Sequence, residues 1–248
     1  FEERFFPREA YQSSPLSLSL LLRNDAAYDV NNVRVSLAGL DNQYIDVHSP
    51  DAQIALIEGK SLFNPKGGQA DVTFEGIVKP LYQGAEYNTQ NFRVYLSYDS
   101  KIEFAPTVCI NPSLYELFDS GCQVPNGQTS FGGQGGPVSV ASMREIIRSG
   151  YTNEVEFRLT LRNQGKGKVK KVRLGEAKIG NDPMTCELRG GTFITSREAA
   201  IDPLLQRQDM EVICVKKLKD RRSYLTPMYV ELFYEYELDL RQQLTIRK

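Results

Sequence analysis

The sequence predicts an all-β protein of two tandem antiparallel β-sandwiches joined by a Gly-rich linker. Three observations predict this fold: a phrase that recurs after roughly a domain's length, strand patterns of period two, and frequent turn residues. The recurring phrase is Leu-Arg-Asn, then five variable residues, then Val-x-x-Val-Arg-aliphatic, and it begins at Leu22 and again at Leu161. Such a recurrence indicates two copies of one fold.

The bulk composition agrees with two globular domains. The chain has 248 residues, of which 41% are hydrophobic and 25% charged, and this length allows two cores of ordinary size. We therefore expect one sandwich at residues 1–108, a connecting segment at 109–136 and a second sandwich at 137–248. The longest apolar stretch, residues 16–22, is too short to span a bilayer, so any membrane anchor is expected outside this chain.

The strand before each repeat alternates apolar and polar residues. Residues 16–23 place a leucine at every second position, and residues 155–162 place Val, Phe and two Leu on one face. The last strands of the two copies, 92–98 and 230–240, alternate in the same way, as expected of half-buried strands. Shorter candidate strands lie between them, at 54–57, 70–78, 186–188, 193–195 and 211–215.

The openings of the two copies also look related. Residues 8–11 (Arg-Glu-Ala-Tyr) resemble residues 144–147 (Arg-Glu-Ile-Ile), at nearly the same distance before the repeat. Many short strands with frequent turns favour immunoglobulin-like antiparallel β-sandwiches of roughly seven strands each. Helix is expected only at 113–118, and as a turn or two within 196–207.

A glycine-rich segment, residues 126–137, is predicted to be the interdomain linker, with no regular element of its own. Gly-rich loops that bind phosphate follow a strand, open a helix and usually carry a lysine. Here Pro137 and a β-type pattern follow instead, so phosphate binding is not expected.

Four cysteines, Cys109, Cys122, Cys186 and Cys214, bear on the compartment of the protein. Three pairings are possible, and pairing within sequence neighbours, 109 with 122 and 186 with 214, is the most economical. The alternative is four buried free thiols. A metal site is disfavoured because there is no Cys-x-x-Cys pair. Disulfides would place the chain outside the reducing cytosol, at the cell surface or beyond it.

No constellation of catalytic residues is apparent, and no cofactor is expected. The single histidine, His48, lies in a turn-like stretch without a nucleophile motif and is interpreted as a surface residue. An EF-hand spacing is absent at Asp41, Asp46 and Asp51, so calcium binding there stays open but is not favoured. Four acidic residues share one face of the last strand, which is interpreted as a solvated outer face: Glu231, Glu235, Glu237 and Asp239.

Charge is distributed unevenly along the chain. Residues 1–108 have an excess of acidic and residues 137–248 an excess of basic side chains, which indicates head-to-tail contact or an anionic partner. Two basic runs are interpreted as solvated turns and edge strands rather than a nucleic-acid site, since no aromatic residues alternate with them. Tyr229 and Phe233 are expected on the exposed face of the last strand. The basic runs comprise Lys166, Lys168, Lys170, Lys171 and Arg173, and Lys216, Lys217, Lys219, Arg221 and Arg222.

The alternating strand, the Arg-Asn turn and the Val-x-x-Val-x-aliphatic segment resemble the cell-adhesion-related (CARDB-like) β-sandwich domains. The second copy, residues 157–174 with Asn-Gln-Gly-Lys-Gly at the turn, is the closer match, while the first has Asp-Ala-Ala-Tyr in place of the glycines. The resemblance covers about two thirds of the chain and implies tandem spacer or adhesive modules of prokaryotic, notably archaeal, cell-surface proteins. It implies no catalytic residues.

Together these observations lead to an expected function. We expect a non-catalytic structural or adhesive module of the cell exterior, such as a surface-layer or filament subunit, with protein partners that include copies of itself. The alternative is an accessory binding domain pair of a larger membrane-anchored enzyme or transport complex. An enzyme in its own right is the least favoured reading, because the chain carries one histidine and no recognised catalytic motif.

Overall fold

The computed structural model describes residues 2–112, 121–148, 153–190, 192–195, 197–200, 210–218 and 223–248. Throughout these residues the regular elements are β-strands in antiparallel sheets, with an added parallel pairing of 245–247 with 9–11. The prediction of an all-β fold is therefore confirmed. The predicted helix at 113–118 lies outside the described residues, as does most of the predicted turn within 196–207, of which 198–200 form a strand.

The strands alternate with turns along the whole described chain. The first eight are β1 (Glu2–Phe5), β2 (Glu9–Tyr11), β3 (Pro15–Arg23), β4 (Val30–Ala38), β5 (Ile45–Val47), β6 (Asp51–Ile57), β7 (Gln69–Val78) and β8 (Tyr87–Phe104). The others are β9 (Thr107–Ile110), β10 (Gln128–Ser130), β11 (Val138–Arg148), β12 (Glu154–Asn163), β13 (Lys168–Ile179), β14 (Asp182–Pro183), β15 (Thr185–Arg189), β16 (Thr192–Thr195), β17 (Glu198–Ala200), β18 (Met210–Lys217) and β19 (Tyr224–Arg247).

The chain divides into two compact units. Unit 1 comprises residues 1–100 and 236–248, and unit 2 comprises residues 101–235. Both boundaries fall inside long strands, β8 and β19, so one part of each strand belongs to unit 1 and the other part to unit 2. This division differs from the predicted domains at 1–108 and 137–248, because the end of the chain pairs back with β8 and β2 in unit 1.

Unit 1 contains two sheets. The first has the order β1-β3-β7-β5. The second has the order β6-β4-β8-β19, in which β6 is the edge strand and β19 contributes its last part. The leucines of β3 that alternate in sequence are all buried, so the period-two prediction for 16–23 is confirmed. They pack in one hydrophobic cluster with Phe74, Val94 and Ile246 among others. Burial of this apolar surface is the main stabilising contribution to the unit.

Unit 2 repeats this strand order. Its first sheet is β10-β11-β12-β18-β15, and in its second sheet β13 lies between β17 and the first part of β19, with β16 added outside β17. Thus β12 takes the place of β3, and β13 that of β4. The inward residues of β12, Val155 to Leu161 at every second position, are buried as predicted.

The asparagine of the recurring phrase forms the same turn in both units. The Asn24 carboxamide oxygen accepts the Ala26 N–H at 3.0 Å, and the Asn163 oxygen accepts the Gly165 N–H at 3.0 Å. The amide nitrogens then donate to the carbonyls of Tyr28 and Gly167, each four residues beyond the asparagine. These side chains close the turn that connects the paired sheets, which explains why the phrase recurs.

Two sequence-based expectations are wrong: that residues 8–11 and 144–147 are equivalent, and that the Gly-rich segment has no regular element. The strand that pairs with β3 as β11 pairs with β12 is β1, whereas residues 9–11 pair in parallel with β19, so 8–11 and 144–147 are not equivalent. The Gly-rich segment does support regular structure, because residues 128–130 form β10 along β11. The Gln134 side chain reinforces it by bonding the backbone N–H and carbonyl of Val140.

Candidate functional site

Both predicted disulfides are present, and both lie in unit 2. Cys109 bonds Cys122 with Cα atoms 5.8 Å apart, and Cys186 bonds Cys214 with Cα atoms 4.0 Å apart. The second is a cross-strand bridge, since Cys186 of β15 lies directly opposite Cys214 of β18. The bridge fastens the edge strand β15 to its sheet. The two bonds fit an oxidising compartment.

The acidic residues of β19 lie on its outer face, as predicted. Glu231 contacts the Lys101 ammonium at 3.3 Å, and Asp239 lies 3.8 Å from Arg93. Lys101 also donates to Glu103 at 2.6 Å, and these carboxylates raise the pKa of Lys101. Glu231 and Asp239 are therefore members of ion pairs on a sheet surface.

Tyr229 and Phe233 are half-buried instead of exposed, because cationic side chains lie over their rings. The Arg173 guanidinium is 4.4 Å from the Phe233 ring centre, and the Lys178 ammonium is 5.1 Å from that of Tyr229. Phe233 also covers Gly175 of the neighbouring strand, where an added Cβ would come within 2.9 Å of the ring. Cation–π contacts therefore cover these two rings on the outer face of β19.

The first basic run does not lie on an edge strand, contrary to the prediction. Its strand, β13, is paired on both sides, with β17 and β19. Lys171 makes an ion pair with Glu198 of β17. In the second run Lys216 lies 3.2 Å from Asp182, while Lys219, Arg221 and Arg222 lie outside the described residues.

His48 is exposed in the turn between β5 and β6, as predicted, and its backbone N–H donates to the Glu75 carbonyl at 3.0 Å. Two of the three aspartates considered for calcium have separate contacts. Asp41 caps the following turn by accepting the Gln43 N–H, and Asp46 lies 3.8 Å from Lys79. Among the described residues no group of three acidic, histidine or cysteine side chains is arranged to hold a metal ion.

Glu145 of β11 is a buried carboxyl that the sequence reading did not single out. Both of its carboxyl oxygens are shielded from solvent and have no hydrogen-bond partner among the described residues. Its cross-strand neighbour is the fully buried Phe157, which in turn lies opposite Cys214. Burial raises the pKa of Glu145 to about 7. The group can therefore hold a proton near neutral pH.

The outer edge of β6 is the most open edge in the described structure. β6 is seven residues long, pairs only with β4, and carries one charged residue, at its first position. The other terminal strands are blunted by shortness or charge: β1 has four residues, β5 and β10 have three, β16 has four, and the five-residue β15 carries Glu187 and Arg189. Unpaired backbone N–H and C=O groups on such an edge form a template for another strand.

The turn after β6 presents two apolar side chains to solvent. Leu62 is 97% and Phe63 is 99% exposed, so neither contributes to a core. The turn around them, residues 58–68, is held at its base by the Asn24 amide on the Ile57 carbonyl at 3.0 Å and by the Gly68 N–H on the Glu58 carbonyl at 2.9 Å. The protein therefore displays an apolar pair on a hydrogen-bonded loop.

The base of this loop is reinforced by charge and by close backbone packing. Asp25 lies 3.1 Å from the Lys60 ammonium and 2.9 Å from the Arg23 guanidinium, which lower its pKa. Gly67 has a positive φ of 73°, and a Cβ there would lie 1.9 Å from the Asn24 carbonyl oxygen. Only glycine fits this approach, so the loop's shape is fixed by the sequence.

Sequence reasoning found the cysteines and placed a strand at 54–57, within β6, but it did not identify the open edge of that strand or the loop that follows it. The signal was present: Leu62-Phe63 stands within Lys-Ser-Leu-Phe-Asn-Pro-Lys, where Asn-Pro and Gly-Gly mark a turn and no period-two pattern assigns the pair to a strand. An apolar pair that no core can use is an indicator of contact with something else.

Comparisons with known proteins leave the family open. The chain matches no protein-family model and no curated protein. The resemblance to cell-adhesion-related domains therefore stays a prediction. Among the described residues there is also no helix long and apolar enough to cross a membrane.

Proposed function

We propose that this protein is a non-catalytic structural or adhesive module of the cell exterior that assembles through its β-sheet edge. The observation that carries the proposal is the open edge of β6. β6 is a seven-residue edge strand with one charged residue, whereas the other terminal strands in the described part of the chain are shorter, and the longest of them carries two charges. An edge of this kind adds a strand from another polypeptide through main-chain hydrogen bonds.

The two disulfides support the proposed location. They close loops with sequence separations of 13 and 28 residues, and such bonds persist in secreted and surface proteins. Mass analysis of natively purified protein, with alkylation before and after reduction, tests this part. We expect no alkylated cysteine before reduction and four after it; four reactive thiols in the native protein would contradict an exterior location.

Assembly through β6 is tested by placing lysines on its exposed positions. Gln53 and Ala55 are both exposed, so Gln53→Lys with Ala55→Lys leaves the core intact while adding two charges to the edge. The matched control is Gln69→Lys with Thr73→Lys, which adds the same charge at exposed positions of another strand, β7.

Sedimentation velocity over a concentration series of the full chain gives the readout. We expect concentration-dependent association of the wild type and of the control, weakened at least about tenfold in the β6 variant, a loss of about 1.4 kcal/mol. A wild type that stays monomeric at high concentration and low salt would contradict self-assembly, and so would equal weakening in both variants.

A further inference from the structure

We infer that the loop at residues 58–68 of unit 1 is a membrane-contact loop that inserts Leu62 and Phe63 into the interface of an anionic lipid surface. This inference is separate from strand addition at β6, and either can fail without the other. It begins from an unusual exposure: two adjacent large apolar side chains are 97% and 99% exposed. Single exposed apolar residues are ordinary, whereas an adjacent pair at full exposure on a loop tip calls for a partner.

The loop presents the pair without an ordering cost. Its base is fixed by the Asn24 amide, by the Lys60 N–H on the Ala26 carbonyl at 2.8 Å, and by the Gly59 N–H on the Asp29 carboxylate at 2.7 Å. Nearer the tip, the Ser61 hydroxyl accepts the Asn64 N–H at 3.0 Å. A loop already held in one conformation loses little conformational entropy when it binds.

The charges around the tip are of one sign. Residues 59–68 contain Lys60 and Lys66 and no acidic residue. Acidic groups lie at the base of the loop. Asp25 pairs there with Lys60, and Asp29 accepts the Gly59 N–H. Glu58 is the first residue of the loop. Lys60 is held by Asp25 at the base, so it is the Lys66 ammonium that reaches the level of lipid phosphates when the apolar tip enters the interface.

A lipid surface fits this tip better than a protein pocket does. Protein–protein hot spots lie within a patch whose rim excludes water, but the neighbours of Leu62 and Phe63 along the loop are polar: Lys60, Ser61 and Asn64. A bilayer interface needs no complementary cavity and accepts an isolated apolar point. A loop of two apolar residues and two lysines supplies only weak binding by itself, so it suits a protein presented in many copies on a surface.

The sequence offers an unusually clean test, because the chain contains no tryptophan. Phe63→Trp places a single tryptophan at the tip, which can be excited at longer wavelength than the 13 tyrosines. Tyr82→Trp places one at another exposed position of unit 1, where Tyr82 is 62% exposed. Both variants of the full chain are titrated with phosphatidylcholine vesicles that contain phosphatidylglycerol and with vesicles of phosphatidylcholine alone.

We expect the emission of Phe63→Trp to shift to shorter wavelength and to be quenched by brominated acyl chains on the anionic vesicles, with weaker binding to neutral ones. The emission of Tyr82→Trp should not change. In the wild-type background, Leu62→Asp with Phe63→Asp should lower vesicle co-sedimentation at least about tenfold, since burial of the two side chains is the main attraction. Lys66→Gln should lower it less, and its effect should shrink in high salt.

Two results would overturn the inference. One is an unchanged emission of Phe63→Trp with every vesicle. The other is a blue shift that grows with protein concentration in the absence of lipid and is not increased by vesicles, which would place the tip in a pocket of a second copy. Failure of β6 assembly would leave both readouts unaffected, so the two proposals are tested separately.

Discussion

The two units share one strand order but are secured in different ways. Unit 2 contains all four cysteines as two disulfides, and its edge strand β17 is covered by β16. Unit 1 has no cysteine in its ranges, and its corresponding edge strand, β6, is left uncovered. Disulfides and added strands therefore stabilise unit 2 and cover its edge, whereas unit 1 has an open sheet edge and an exposed apolar loop. The comparison indicates that unit 1 is the part that makes contacts.

The largest expected effect is the loss of the cross-strand disulfide. Replacing Cys186 and Cys214 by alanine should destabilise unit 2 by about 3.5 kcal/mol, from the loop-closure entropy of a 28-residue separation, and leave unit 1 unchanged. Hydrogen exchange followed by mass spectrometry resolves the two units by peptide. If exchange of β3 and β7 in unit 1 became faster by as much as exchange of β12 and β18 in unit 2, the disulfide would stabilise both units, which would contradict this prediction.

The second effect concerns the buried carboxyl of unit 2. The folded pKa of Glu145 is raised to about 7 from an ordinary 4.5, so the folded state binds its proton more tightly than the unfolded state. This tighter proton binding stabilises the folded state fully below pH 4.5, and the stabilisation is lost as pH rises through 7. The free energy of unfolding then falls by about 2 kcal/mol, after allowance for partial solvation.

Glu145→Gln should remove this dependence, which is measured by chemical unfolding of wild type and variant at pH 4.5 and pH 8. The wild type should lose stability between these values relative to Glu145→Gln. Parallel pH curves for the two proteins would show that Glu145 does not titrate with a raised pKa.

The third effect compares the two asparagines of the recurring phrase. Asn24 is buried, and its amide also reaches the Ile57 carbonyl at the base of the β6 loop, whereas Asn163 is only half-buried. Asn24→Ala should therefore cost about 2 kcal/mol and Asn163→Ala about 1 kcal/mol, because the buried partners are left unsatisfied. Unfolding free energies of both variants decide this; a larger loss for Asn163→Ala would reverse the expected ranking.

The smallest effect is expected at the apolar tip. Leu62→Ser and Phe63→Ser should change the unfolding free energy by less than about 0.5 kcal/mol, since both side chains are almost wholly exposed. Thermal unfolding of the two variants beside Leu20→Ala, which removes a fully buried side chain, provides the scale. A tip variant that unfolds as easily as Leu20→Ala would mean that the pair packs against the protein.

Local patterns in the sequence predicted the central strands β3 and β12, the turns after them and the preferred pairing of the cysteines, which the structure contains. The alternation in 16–23 and 155–162 predicts β3 and β12 because one face of each strand meets a core. The alternation in 230–240 predicts a strand, but not that its two halves serve different units, since period two carries no information about which core a residue enters.

The candidate surface was harder to predict for a related reason. Whether β6 is an edge strand depends on which strands pair with it. The local sequence of a strand does not show which distant strands it pairs with. Glu145 was equally hidden, because its burial follows from its register opposite Phe157 of β12. Residues 128–130, Gln-Thr-Ser, lie in a glycine-rich segment that looks like linker by composition, yet they pair with β11. Their pairing depends on the backbone groups that β11 offers, which composition does not show.

The most direct test of the central claim, that unit 1 makes contact through the open edge of β6, is hydrogen exchange of the full chain at low and high protein concentration. We expect that peptides covering Asp51–Ile57 gain protection from exchange at high protein concentration, whereas those covering Thr185–Arg189 do not. Protection gained at residues 185–189 with none at residues 51–57 would contradict it.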